Sequence, residues 1–166
     1  MMALWSATPQ RVSVFLIALL LAGCGTAASD ASTGQPETTP ETLGQAQALW
    51  SDKGIADYQI TVQQSCFCPA YLRQPIRVTV ADGKLVDVTG LEQLIQDPSQ
   101  LDAERLTVPG MFRFIERAER RDVHRLKVDY DPRYGFPVYI DYDGHEMIAD
   151  DEYQYELSDF QRGAGH

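Results

Sequence analysis

Two hydrophobic periodicities alternate along residues 42–162. In two segments apolar residues recur every three or four positions, which predicts helices with one buried face: Leu43, Ala46, Leu49 and Trp50 in the first, and Met111, Phe114, Ile115 and Ala118 in the second. Thr42 and Gly54 are suitable boundary residues for the first helix, and Pro109 suits the first turn of the second. A third, short helix is predicted over Leu91–Gln96.

Six other segments alternate apolar and polar residues with a period of two, which indicates half-buried strands. These segments are Tyr58–Val62, Ile76–Val80, Val86–Val88, His124–Tyr130, Phe136–Tyr142 and Tyr153–Leu157. The order is therefore helix, three strands, helix, three strands. It predicts a single α+β domain with an antiparallel sheet of about six strands and both main helices packed on one face.

The second and third strands meet across a short turn that contains Gly83. A two-residue loop would place the charged Asp87 opposite Val78, on the buried face. A three-residue loop with a left-handed Gly83 pairs Val78 with Val86 and keeps that face apolar. We therefore predict the Val78–Val86 register.

Residues 1–23 are typical of an export signal. Arg11 is their only charge, and the apolar run at positions 14–22 is too short to span a bilayer. The segment ends in Leu-Ala-Gly-Cys, which resembles the lipobox of bacterial lipoproteins. The resemblance implies that the signal is removed before Cys24 and that Cys24 is lipidated.

Residues 24–41 combine this cysteine with a stretch rich in Gly, Ser, Thr and Pro and free of large apolar residues, which predicts a flexible tether. Residues 163–166 are predicted to be a tail. The lipid would place the domain in the cell envelope. By resemblance to Gram-negative lipoproteins, Gly25 after the cysteine permits sorting to the outer membrane, facing the periplasm. In a Gram-positive cell the protein would lie on the outer face of the cell membrane.

Composition narrows the possible partners. The chain has 166 residues, 44% of them apolar, and a formal net charge of -10. So acidic a surface argues against binding to nucleic acid or to anionic lipid headgroups, both of which require clustered Lys and Arg. The sequence has no P-loop, dinucleotide-binding glycine motif or nucleophile elbow. We therefore expect no catalytic residues and no resident cofactor, and membrane association through the covalent lipid alone.

Cys66 and Cys68 flank a single residue. In an oxidising envelope they would form a disulfide, remain a free buried pair, or serve as a redox or metal-binding thiol pair.

The acidic run near the C-terminus offers a candidate calcium site. Its candidate ligands are Asp141, Asp143, Asp150, Asp151 and Glu152. Two other interpretations remain open for these residues. They could face solvent on strands and turns, or they could pair with basic residues of the Arg113–Arg125 stretch.

Several segments in order resemble a bacterial lipoprotein family that is described only as a domain of unknown function. They include Cys-Phe-Cys-Pro from position 66, Tyr-Asp-Pro-Arg-Tyr-Gly-Phe-Pro from position 130 and Ala-Asp-Asp-Glu-Tyr from position 149. The resemblance implies an envelope lipoprotein with a small α+β domain and carries no activity. The leading hypothesis is a membrane-tethered, non-catalytic binding or structural module whose protein or small-molecule partner the sequence leaves open. A calcium-dependent binder and a thiol redox or metal-handling protein are the alternatives.

Overall fold

The computed structural model describes residues 38–148 and 150–163. The predicted signal peptide, Cys24 and most of the tether lie outside the described residues, as do the last three residues of the tail. Within the described ranges, no helix has the length and apolar character needed to cross a membrane.

Two α-helices and six strands follow one another in the predicted order. They are α1 (Leu43–Lys53), β1 (Tyr58–Cys66), β2 (Ile76–Ala81), β3 (Lys84–Gly90), α2 (Val108–Arg121), β4 (Arg125–Tyr130), β5 (Pro137–Asp143) and β6 (Glu152–Arg162). The strands form one sheet in the order β3-β2-β1-β6-β5-β4, with every neighbouring pair antiparallel. The predicted α+β class and element order are confirmed.

The boundaries of α1 are those predicted from its sequence. The side-chain oxygen of Thr42 accepts a hydrogen bond from the backbone N–H of Gln45. The helix ends at Gly54, whose φ of 56° lies in the left-handed region that glycine adopts without a Cβ penalty.

The core lies between one face of the sheet and the two helices. Its strand residues come from alternate positions, as the period of two predicted: Tyr58, Ile60, Val62, Ile76, Val78, Val80, Tyr130, Ile140, Tyr142, Tyr155 and Leu157. The helices contribute the predicted stripes, including Ala46, Trp50, Met111 and Ile115. Both helices therefore cover the same face.

The predicted register of the β2–β3 hairpin is wrong. Asp82 and Gly83 form a two-residue turn with φ values of 50° and 70°, and Val78 pairs with Val88 rather than with Val86. A register shift next to the turn leaves Val86 as an extra, largely exposed residue in β3. The bulge restores the apolar face that we expected a longer turn to preserve.

The predicted helix over Leu91–Gln96 does not form. Instead, the buried side-chain amide of Gln74 holds this segment: its Oε1 accepts hydrogen bonds from the N–H groups of Glu92 and Gln93, and its Nε2 donates to the carbonyl of Gln93. These hydrogen bonds to Gln74 replace the backbone hydrogen bonds that a helix would make. Short 3₁₀ helices follow further on, at Pro98–Gln100 and Ala103–Leu106.

We call the end of the sheet at which β1, β3 and β5 finish the upper end, and the opposite end the lower end. Helix α1 packs at the lower end. Gly135, in the turn between β4 and β5, lies so close to the carbonyl of Ala46 that a Cβ would overlap it, and Trp50 contacts Phe160 of β6. Helix α2 finishes at the upper end, where a three-residue connection leads into β4.

Tyr58 ties the centre of the sheet to the start of α2. Its hydroxyl oxygen accepts a hydrogen bond of 3.0 Å from the backbone N–H of Val108, and both residues are buried. This bond satisfies one of the N–H groups that the first turn of a helix cannot pair internally.

We expect Tyr58→Phe to lower the free energy of unfolding by about 1–3 kcal/mol, because a buried N–H loses its acceptor. Urea denaturation would measure the change. Tyr71→Phe is the control, because its hydroxyl donates only to Gln100 in an exposed bond. Equal losses in the two variants would contradict the anchoring role of Tyr58.

The same tyrosine should make stability sensitive to alkaline pH. Burial raises the pKa of Tyr58 to about 12, although the bond from Val108 partly offsets this effect. As the pH rises above about 10, the unfolded state loses this proton first, so stability falls between about pH 10 and 12. Unfolding free energies measured from pH 8 upward should decline less steeply in Tyr58→Phe. Identical slopes would show that Tyr58 does not contribute.

Candidate functional site

The two cysteines lie at the upper end of β1. The Sγ atoms of Cys66 and Cys68 are at bonding distance, with their Cα atoms 5.3 Å apart. Of the interpretations that the sequence left open, the geometry corresponds to a disulfide. Phe67 between them is 89% exposed, so the pair closes a small loop that displays an aromatic ring to solvent.

A shallow hollow, which we call the cysteine depression, lies beside this loop. Its volume is about 330 Å³, and it is lined by Ser65, Cys66, Phe67, Asp141, Glu152, Tyr153 and Gln154. One cysteine and two of the five candidate calcium ligands therefore border the same hollow.

Asp141 and Asp143 project from the face of β5 that the helices do not cover, and both are held by Arg125. The Nε of Arg125 lies 3.0 Å from Asp141 Oδ2, and its Nη1 lies 3.6 Å from Asp143 Oδ2. Asp143 is only 4% exposed and also accepts a hydrogen bond from the N–H of His145. Pairing of these acids with a basic residue of the Arg113–Arg125 stretch was one of the alternatives to a calcium site.

The other three acids point to different places. Asp150 is exposed, Glu152 borders the cysteine depression, and Asp151 lies on the helix-covered side of the sheet. The structure therefore does not gather the five candidate ligands at one point. Across residues 38–148 and 150–163, no three His, Cys, Asp or Glu side chains form a group that could hold a metal ion.

A second hollow, the arginine cavity, lies between α2 and the upper ends of β5 and β6. It has a volume of about 130 Å³ and is lined by Arg105, Phe114, Arg117, Ala118, Arg121, Tyr142, Asp151 and Tyr153. Tyr153 also borders the cysteine depression, so the two hollows are neighbours. This cavity was not among the sites predicted from the sequence.

Arg105 enters the cavity from the connection before α2. Its guanidinium carbon lies 4.6 Å from the ring centre of Phe114 and 4.9 Å from that of Tyr153, and its Nη1 donates a 3.0 Å hydrogen bond to the hydroxyl of Tyr155. Its Nε lies 2.9 Å from Asp102 Oδ2 but makes no hydrogen bond, so that contact is ionic. These contacts fix the cation in place.

The other two arginines that line the cavity, Arg117 and Arg121, differ in their partners. Arg117 and Arg113 share the carboxylate of Glu104, at 3.1 and 2.6 Å, and these bonds lower the pKa of Glu104 to about 2. Arg121 is exposed and makes no ion pair or side-chain hydrogen bond with any residue that the structure describes. One of the three cations is therefore available to a ligand.

The strand side of the cavity carries the opposite charge. Asp151 packs over Gly144 so closely that a Cβ there would overlap its carboxylate, and Tyr142 has its hydroxyl nearby. Burial, followed in importance by the charge of Asp151, raises the pKa of Tyr142. The phenol therefore stays protonated at neutral pH and can donate a hydrogen bond.

The spacing of Arg117 and Arg121 was the one available sequence signal. They are four residues apart, beside the buried positions Phe114 and Ala118, so they had to flank the packed face of α2. Arg105 carried no comparable signal, because it meets Tyr155, 50 residues away, only in the folded chain.

Comparison with known proteins identifies the class of this chain. Residues 42–162 match DUF6174, a family of unknown function, and the chain belongs to that family. The match supports the resemblance to a domain of unknown function. No curated protein and no solved structure matches the chain.

We expect Arg125→Gln to lower the free energy of unfolding by about 1–3 kcal/mol at neutral pH, because it removes the guanidinium group that pairs with both Asp141 and the buried Asp143. Thermal and urea unfolding would measure this change.

Lys127→Gln is the matched control. Lys127 lies on the same strand, and its amine pairs at 3.5 Å with the exposed Asp129. We expect a change of less than about 0.5 kcal/mol. Equal effects of the two substitutions would contradict a specific role of Arg125.

Proposed function

We propose that this protein is a lipid-anchored cell-envelope protein whose folded domain is a non-catalytic binding module. The anchor is supported by the Leu-Ala-Gly-Cys sequence that ends at Cys24 and by the polar tether that follows it. The family match begins at residue 42, directly after that tether.

The lipid would hold the protein by burial of acyl chains, each methylene contributing about 0.8 kcal/mol. Charge does not favour the membrane, because the chain carries a net charge of -10 and anionic headgroups repel it. The protein would face the periplasm from the outer membrane of a Gram-negative cell, or lie on the outer face of a Gram-positive cell membrane.

The arginine cavity is the observation that carries the binding proposal. It brings together guanidinium groups, phenol rings and one carboxylate, which are the groups that hold charged ligands through ion pairs and hydrogen bonds. Helix α1 packs at the lower end of the sheet, whereas the arginine cavity lies at the upper end.

Replacing Cys24 by Ala tests the anchor. In a bacterial host, the unchanged protein should incorporate labelled fatty acid and lose residues 1–23. Cys24→Ala should do neither, because acylation requires the thiol. Gel autoradiography and intact-protein mass spectrometry would measure both results.

Cys66→Ala is the control, because it removes a different thiol and should leave labelling and processing unchanged. The anchor proposal is wrong if Cys24→Ala is labelled and processed like the unchanged protein.

A further inference from the structure

We propose that the arginine cavity binds a small zwitterion, a free amino acid with a short side chain or an equivalent amino carboxylate. This inference rests on the proposed binding function and names its ligand class. Cations on one side of the cavity would hold the ligand's carboxylate, and an acid on the other side would hold its ammonium group.

The arginines of the cavity would hold the carboxylate of the ligand. Arg105, Arg117 and Arg121 line a volume of only about 130 Å³ in a chain with 24 acidic and 14 basic residues. Guanidinium forks match carboxylate geometry, and Arg121 has no competing partner among the described residues. Tyr142 adds a phenol donor at the same wall.

Asp151 would hold the ammonium group of the ligand. It is the one acid among the described residues that line the cavity. Its carboxylate makes no ion pair with any described Lys, Arg or His, although arginines line the same hollow. An acid held beside cations, but not neutralised by them, is suited to a ligand that carries both charges.

Size and wall chemistry restrict the ligand further. The cavity has a volume of about 130 Å³, the space of about four water molecules in the liquid, which suffices for glycine or alanine. Phe114 and Tyr153 supply apolar walls for the ligand's carbon atoms. Inorganic phosphate would place its second negative charge near Asp151, so a monocarboxylate with an ammonium group fits better.

Isothermal titration calorimetry on the full chain, purified in detergent from whole-cell lysate, tests the proposal. The probes are glycine, L-alanine, acetate, methylammonium and inorganic phosphate. We expect glycine or alanine to bind at least about tenfold more tightly than acetate or methylammonium, since a charged hydrogen bond contributes more than a factor of ten.

Two substitutions and a matched control locate the site. Arg121→Gln and Asp151→Asn should each weaken alanine binding by about tenfold or more. Arg120→Gln should leave it within about twofold, because Arg120 is the neighbouring exposed arginine, does not line the cavity, and pairs with Glu116. Circular dichroism would check that each variant is folded.

Each outcome has a separate meaning. If acetate or phosphate binds as tightly as alanine through Arg121 and Asp151→Asn has no effect, the cavity is a simple anion site and the zwitterion proposal is overturned. If no probe binds at about 10 mM, the cavity loses its binding role as well. Neither result bears on Cys24, because calorimetry in detergent does not depend on membrane attachment.

Discussion

The apolar face of one six-stranded sheet has to be removed from water, and only two helices are available to cover it. The strands lie about 4.8 Å apart, so the edge strands are about 24 Å from each other. Two helices, of 11 and 14 residues, pack on this face. They leave part of the face to the connection between β3 and α2, which contributes the buried Leu106 and the half-buried Arg105.

This incomplete coverage accounts for the position of the arginine cavity. At the upper ends of β5 and β6, a guanidinium group held between Phe114 and Tyr153 fills space that an apolar side chain would otherwise occupy. The remaining volume is lined mainly by charged and phenolic groups, with Phe114 and Ala118 as its apolar part. The fold therefore gathers arginines in the arginine cavity although the whole chain is acidic. The composition alone did not predict this cavity.

The acidic run near the C-terminus is the opposite case, because the sequence suggested a site there and the fold separates its residues. Its density in the sequence made it a candidate calcium site, yet alternation along a strand sends neighbouring residues to opposite faces. Asp141 and Asp143 share one face with Arg125, whereas Asp151 reaches the helix-covered side. Residues that are neighbours in the chain are separated by the sheet. Pairing with Arg125 corresponds to one of the alternatives that the sequence left open, because Arg125 lies in the Arg113–Arg125 stretch.

Local patterns by themselves determined the two helices, the six strands, the α+β class and the buried stripes, because each depends on a periodicity within a single element. The caps at Thr42 and Gly54 are equally local. Three features depended on contacts between distant parts of the chain, and only the tertiary structure decided them: the Val78–Val88 register, the segment held by Gln74, and the convergence of Arg105 with α2 and Asp151. A bulge, a buried amide and a cavity each require partners that residue periodicity cannot specify.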